Sequence, residues 1–192
     1  MFVLLTLTWL IAIVSSTIPA YWLIVHGRAR HWARSGGKRL LKIGPVWLLL
    51  WGIAGAITWP WRLTTLYQLR WTWIPAAILI LAGFALYGFA SRSFSANQIL
   101  GFPELQPQLH RQQLSTAGIR AHIRHPYYLG HFFELLGWSL GSGLVAAYGL
   151  ALFGVLTGYF MIVAEERELE DRLGEQYGEY RRRTAAMFPG IW

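Results

Sequence analysis

Three small groups of polar residues in this chain have the types and spacing to do chemistry. The first is Arg124-His125-Pro126-Tyr127-Tyr128-Leu129-Gly130, a cation, an imidazole and two phenols directly ahead of a long apolar run. Pro126 suits the first turn of a helix, because it lacks the N–H that would go unpaired there and its φ is already set. A helix starting at His125 or Pro126 aims its dipole and free N–H groups at an anionic group, a carboxylate or a phosphate. The second group is Glu165-Glu166, at the far end of that run. A helix C-terminus repels negative charge, so the pair gains if a cation faces it, either a protein arginine or a positively charged ligand. The third is His131 with Glu134, one helical turn apart on a face that Tyr127 and Trp138 extend. An ionisable group at membrane depth is a functional candidate by default.

Plainer readings stand beside these. Arg124 snorkels while the tyrosines form an aromatic belt, Glu165-Glu166 open a solvated charged helix, and His131 and Glu134 satisfy each other inside a bundle. No third donor accompanies the His-Glu pair at a useful spacing, so no metal is expected. The chain has no cysteine, which removes thiol nucleophiles and cysteine metal sites. A phosphate-binding glycine loop, a Gly-x-Ser-x-Gly elbow and a His-Glu-x-x-His motif are also missing.

The elements that position these groups follow from apolar run lengths. Phe2 to Val25 carries no charge and makes about 36 Å of helix, more than the roughly 30 Å hydrocarbon core. Only Met1 precedes it, so it reads as a retained span rather than a secretory signal, with a kink expected at Pro19. A second run covers Ile43 to Trp59 and ends in the Trp59-Pro60-Trp61-Arg62 interface cluster; a third covers about Trp71 to Ala90. The last block, Tyr127 to Ala164, is interrupted at Gly141-Ser142-Gly143. Its length, about 57 Å as helix, is slightly short of two full crossings, which favours a tight hairpin. Such a hairpin returns Glu165-Glu166 to the membrane face where His125 begins. After it, Leu169, Leu173, Tyr177 and Tyr180 share one face of a charged helix from Glu165 to Arg183 that lies on the membrane surface or caps the site.

Composition agrees with a membrane protein. Of 192 residues, 55% are hydrophobic and only 14% charged, against about 25% charged in a soluble domain. The net charge of +8 reads as contact with anionic lipid rather than nucleic acid, given apolar runs of this length. The basic residues sort by loop: Arg28 to Lys42, then Arg92 to Arg124, then Arg167 to Arg183, leaving Arg62 and Arg70 opposite. The positive-inside rule then places the N-terminus outside and residues 26 to 42, 91 to 126 and 165 to 192 in the cytoplasm. The expected fold is all-α: a single membrane domain over residues 1–192, an integral-membrane helical bundle of about five transmembrane helices. Its last two helices form a tight hairpin and a C-terminal amphipathic cytoplasmic helix follows.

Residues 116 to 130 and 165 to 183 together resemble the isoprenylcysteine carboxyl methyltransferase family and related phospholipid methyltransferases. The shared pattern is Arg-His-Pro-x-Tyr-x-Gly, an apolar hairpin, then Glu-Glu-x-x-Leu-x-x-x-x-Gly-x-x-Tyr-x-x-Tyr. Its fixed positions stand here as Arg124, His125, Pro126, Tyr128 and Gly130, then Glu165, Glu166, Leu169, Gly174, Tyr177 and Tyr180, with Phe188-Pro189 closing. The resemblance covers residues 92 to 192; residues 1–90, three spans, match only in being apolar.

The resemblance implies an integral-membrane enzyme that transfers methyl from S-adenosylmethionine to a lipophilic small molecule or lipid. Cofactor is taken from the cytoplasmic face and acceptor from the bilayer; the location expected for the chain is a bacterial inner membrane. It implies that His125, Pro126, Tyr127 and Tyr128 line the cofactor and that Glu165 faces its polar end. Gln112, Gln113, Leu114 and Ser115 with Arg120 form the preceding wall. Such a transfer requires neither a metal nor an obligatory catalytic base, since alignment away from water supplies much of the acceleration.

Two departures concern the acceptor. Where the prenylcysteine enzymes place an arginine that resembles a clamp for the substrate carboxylate, this chain has Met161, and His131 and Glu134 occupy a face that the family more often keeps apolar. Both favour an acceptor headed by an amine, hydroxyl or thiol. Two other classes stay open. One is an NADPH-dependent sterol or steroid reductase-like enzyme, which carries a similar His-Pro-x-Tyr in a larger bundle. The other is a non-catalytic membrane assembly protein that keeps the motif.

Overall fold

The computed structural model describes residues 1–28, 39–92 and 114–188, with the backbone alone for 39–43. Its regular elements are helical: α1 (Phe2–Gly27), α2 (Arg39–Thr58), α3 (Trp73–Ser91), α4 (Pro126–Ser142), α5 (Val145–Leu173) and α6 (Glu175–Arg183). Pairing outside the helices consists of isolated bridges, Thr65 with Leu144 and Ile123 with Ala185.

Three helices among the described residues are long and apolar enough to cross a membrane: Phe2–Gly27, Arg70–Ser91 and Val145–Leu173. This makes an integral membrane protein of helical class. α4 does not qualify by length, since its 17 residues reach only about 25 Å. Pro19 lies inside α1 without ending it. Leucines, isoleucines and aromatics stay exposed along the bundle, among them Leu48, Ile57, Ile78, Leu81, Leu156 and Phe160. In water that surface would be an association hazard; against lipid it is the ordinary outer face of a bundle.

Two helix pairs build the molecule, α1 along α5 and α3 along α4. The first closes over Leu5, Trp9, Ala12 and Ile13 from α1 and Ala146, Ala147 and Leu150 from α5, with Trp51 of α2 against them. The second depends on small residues. A Cβ placed on Gly83 would stand 2.7 Å from the carbonyl oxygen of Gly130, and one on Gly137 would stand 2.9 Å from that of Ala76. Backbones this close need glycine at the contact, which is how membrane helices pack when apolar transfer alone gives them no drive to associate.

α4 ends at Gly143, whose φ of +64° is left-handed, and α5 begins two residues later. α5 then runs back until Glu165 and Glu166 meet the start of α4. The charged helix expected from Glu165 to Arg183 takes a different form. α5 carries straight through both glutamates to Leu173, and Gly174, with φ +58°, breaks it before α6. The shared face survives the break: Leu169, Tyr177 and Tyr180 are buried together, with Leu114 and Leu173 against them. Beyond α6 the chain turns back beside the segment before α4, where Arg124 N–H donates to Ala185 O at 2.8 Å and His125 N–H to Ala186 O at 2.9 Å.

Candidate functional site

His125 caps α4 and Pro126 is its first residue, as the sequence requires of a helix beginning there. The imidazole bridges both glutamates of α5: Nε2–H donates to Oε1 of Glu166 at 3.1 Å, and Nδ1 lies 3.6 Å from Oε2 of Glu165. Tyr128 stacks on the imidazole at 5.4 Å between ring centroids. The anion drawn to this helix start is therefore the chain's own glutamate pair, not only an external carboxylate. The helix C-terminus argument for Glu165-Glu166 does not hold, because both lie within α5, about two turns before its end.

The two glutamates have separate circumstances. Glu166 is fully buried, with the Arg124 guanidinium at 2.7 Å and Arg181 Nε at 3.2 Å. Arg124 also donates to the carbonyls of Arg181, at 3.0 Å, and Thr184. It does not snorkel; it ties the start of α4 to α5 and to the segment after α6. Oε2 of each glutamate is buried without a hydrogen-bond partner among the described residues, but an arginine, Arg181, stands 3.2 Å from that of Glu166, whereas that of Glu165 faces His125 Nδ1 at 3.6 Å. Burial disfavours the latter arrangement unless another positive or N–H group joins it.

Arg120 supports the same corner from a short 3-10 turn, Gly118–Ala121. Its Nη1 donates to Arg124 O at 3.0 Å, and the Tyr180 hydroxyl donates to Arg120 O at 2.7 Å. Burial holds its guanidinium below the ordinary value, opposed by the Glu165 charge. Burial likewise pushes the Tyr177 and Tyr180 phenols up, the nearby glutamates adding to it at Tyr177. Leu114 packs on the Tyr177 and Tyr180 cluster, Ser115 is half-buried beside it, and Gln112 and Gln113 lie outside the described residues.

Sequence reasoning missed His26. It is buried at the end of α1, 3.8 Å from Oε2 of Glu168. A histidine closing the first span was visible, but nothing in the sequence joins it to a glutamate so far along the chain.

The second polar group is a four-residue cluster rather than a pair. Nδ1 of His131 and Oε2 of Glu134 are 3.8 Å apart, and the Tyr87 hydroxyl of α3 stands between them at 2.9 Å from each. From α1, Ser15 Oγ donates to Oε1 of Glu134 at 3.3 Å, while Ser15 O lies 2.5 Å from Nε2 of His131. Tyr87 also stacks on Tyr127, whose hydroxyl meets Ser91 Oγ at 2.8 Å. Trp138 takes no part in these hydrogen bonds and packs edge-on against Trp73. Met161 is fully buried.

An apolar cleft of about 480 Å³ opens between α1, α2 and α5, lined by Thr17, Leu50, Ile57, Ala146, Leu150 and Phe153. It sits toward the Val145 end of α5, away from Glu165.

Compared with known proteins, the chain is 27% identical over 130 residues to Methanethiol S-methyltransferase 1 of Bradyrhizobium diazoefficiens, covering 66% of this chain and 41% of that one. It is 27% identical over 137 residues to the Protein-S-isoprenylcysteine O-methyltransferase of Xenopus laevis, with 67% and 46% covered. To the human protein of that name it is 26% identical over 140 residues, with 70% and 46% covered. The chain thus spans under half the length of the curated relatives it matches. No family model and no solved structure matches it. What these relatives have in common, by name, is methyl transfer.

Proposed function

We propose that the protein is an integral-membrane, S-adenosylmethionine-dependent methyltransferase acting on a lipophilic acceptor. The observation that carries this reading is the corner where His125 and Tyr128 meet Glu165, with one carboxylate oxygen buried and lacking a donor. An α-ammonium group fits that oxygen by charge and by hydrogen-bond count. Tyr127, Tyr128, Pro126 and Leu114 supply aromatic and apolar surface for an adenine, with Ser115 and Arg120 beside them. Gln112 and Gln113, which the resemblance also assigns to the cofactor, lie outside the described residues. When bound, the cofactor supplies a sulfonium methyl group that reacts without metal or covalent intermediate.

The chain's own residues would orient and exclude water. His125 is fixed by two carboxylates and a stacked ring, so it holds the pocket wall rigidly. Arg124 and Glu166 are engaged with each other and position that wall without touching the ligand. The basic loops support a cytoplasmic site with the N-terminus outside; a bacterial inner membrane is the location we propose.

Met161, buried where the resembling enzymes carry an arginine, favours an acceptor without a carboxylate. The name of the Bradyrhizobium relative gives a thiol precedent for that choice. Calorimetry on the full chain in nanodiscs, S-adenosylmethionine against NADPH, tests the reading. Binding of the first alone is the expected result; binding of NADPH would favour a reductase, and binding of neither a non-catalytic role. Labelled methyl transfer into lipid extract and lipophilic thiols then identifies the acceptor.

A further inference from the structure

The cluster of Ser15, Tyr87, His131 and Glu134 has a hydrogen count that its geometry fixes. Ser15 O can only accept, so Nε2 of His131 carries a hydrogen. The Tyr87 hydroxyl has one hydrogen and two neighbours at 2.9 Å, Nδ1 of His131 and Oε2 of Glu134. With a neutral imidazole and an ionised carboxylate, one of those two contacts contains no hydrogen. A single added proton fills it in either of two ways. Placed on Nδ1, it is donated to the Tyr87 oxygen while Tyr87 donates to Glu134. Placed on Oε2, it is donated to the Tyr87 oxygen while Tyr87 donates to Nδ1. Both arrangements have zero net charge and four satisfied hydrogen bonds, including Ser15 Oγ to Oε1 of Glu134. Without the proton the cluster is anionic and one bond short, and in that form it accepts a proton, which must pass on before the next turnover.

We propose that these four residues form a one-proton site that takes up the proton of a thiol acceptor as it is methylated, an inference that rests on the methyltransferase reading. When the thiol sulfur forms its bond to the methyl carbon, the donor's carbon–sulfur bond breaks with its electron pair staying on the donor sulfur. The S–H proton must then leave, and in apolar surroundings it needs a built destination. A thiol suits this site better than an alcohol, because the thiolate is the reactive form and its proton lies within reach of an imidazole and carboxylate pair. The placement agrees: His131 is six residues from His125, about 9 Å along α4, and Tyr87 is stacked on Tyr127 at the cofactor end. The groups facing the site are Ser15 from α1, Tyr87 from α3 and Tyr127 from α4 itself.

The test uses the full chain in phospholipid nanodiscs and two probes, dodecanethiol and a long-chain thiophenol that is already ionised at the assay pH. Tyr87→Phe and Glu134→Gln are expected to slow methylation of dodecanethiol about 100-fold. Methylation of the thiophenol and binding of S-adenosylhomocysteine should stay near wild type. Equal loss with both probes would reduce the cluster to packing and overturn the proposal, as would undiminished rates in both variants. Binding of S-adenosylhomocysteine with no thiol methylated would overturn it while leaving the methyltransferase reading intact. Failure to bind that ligand at all would remove the reading itself.

Discussion

Nη2 of Arg124 stands 2.7 Å from Oε1 of Glu166, with only 3% and 2% of the two side chains exposed. Desolvating both charges is costly, and the arrangement holds because each finds further partners: Arg181 and His125 for the carboxylate, two carbonyls for the guanidinium. The pair fastens the beginning of α4, the last turns of α5 and the segment after α6 in one knot.

Removing one member leaves the other buried and unpaired. Arg124→Ala or Glu166→Gln should cost about 3–5 kcal/mol of stability. Thermal unfolding in detergent measures this, and limited proteolysis should show cleavage after α6, where Arg124 no longer holds the carbonyls of Arg181 and Thr184.

Glu165→Gln should behave differently. Its carboxylate faces His125 and takes a hydrogen bond from Tyr128 but no close arginine pair, so the fold loses less than with Glu166→Gln, while the proposed cofactor loses a charged partner worth about 1.5–3 kcal/mol. Calorimetry with S-adenosylhomocysteine should show weakening of about tenfold to a hundredfold, while the unfolding temperature falls less than in Glu166→Gln.

Gly83→Ala and Gly130→Ala probe the α3–α4 contact. A Cβ on Gly83 would lie 2.7 Å from Gly130 O, and one on Gly130 would lie 2.9 Å from Gly83 O, so the helices must separate. Each change should cost about 1–3 kcal/mol. Because Tyr87 is one turn beyond Gly83, its hydroxyl should lose its place between His131 and Glu134 and methylation of dodecanethiol should slow as well.

Tyr177 gives a pH prediction. Burial, then the charges of Glu166 and Glu165, hold its phenol above the ordinary value of 10.0. In the unfolded chain the phenol ionises from about pH 10, while in the folded protein it stays neutral. The unfolded state then binds fewer protons, and stability falls as pH rises past 10. Its hydroxyl is buried with no hydrogen-bond partner among the described residues. Tyr177→Phe should therefore leave stability at pH 7 unchanged or slightly higher and should flatten the alkaline decline. Unfolding temperatures from pH 7 to 11 check both outcomes.

Much of the architecture was legible because it depends on local chemistry. Apolar run length marked α1, α3 and α5 as membrane-crossing, Pro126 marked a helix start, and the interruption at Gly141-Ser142-Gly143 marked the turn where Gly143 adopts its left-handed φ. The meeting of His125 with Glu165 and Glu166 was legible too, since a tight return of the last apolar block leaves the two ends nowhere else to go.

The roles inside the site were not legible. Which glutamate Arg124 takes, and which is left facing His125 Nδ1, depends on about 100° of rotation between neighbouring residues of α5, set only by how α5 packs on α1. Tyr87 enters between His131 and Glu134 because Gly83 and Gly130 let two backbones approach within a side chain's reach, and Ser15 joins them from a helix more than a hundred residues away in sequence. Composition and periodicity set what each helix buries and where it starts and stops. Hydrogen-bond partners separated by 40 to 120 residues are set by close approach and rotation between helices, and those exist only in the packed molecule.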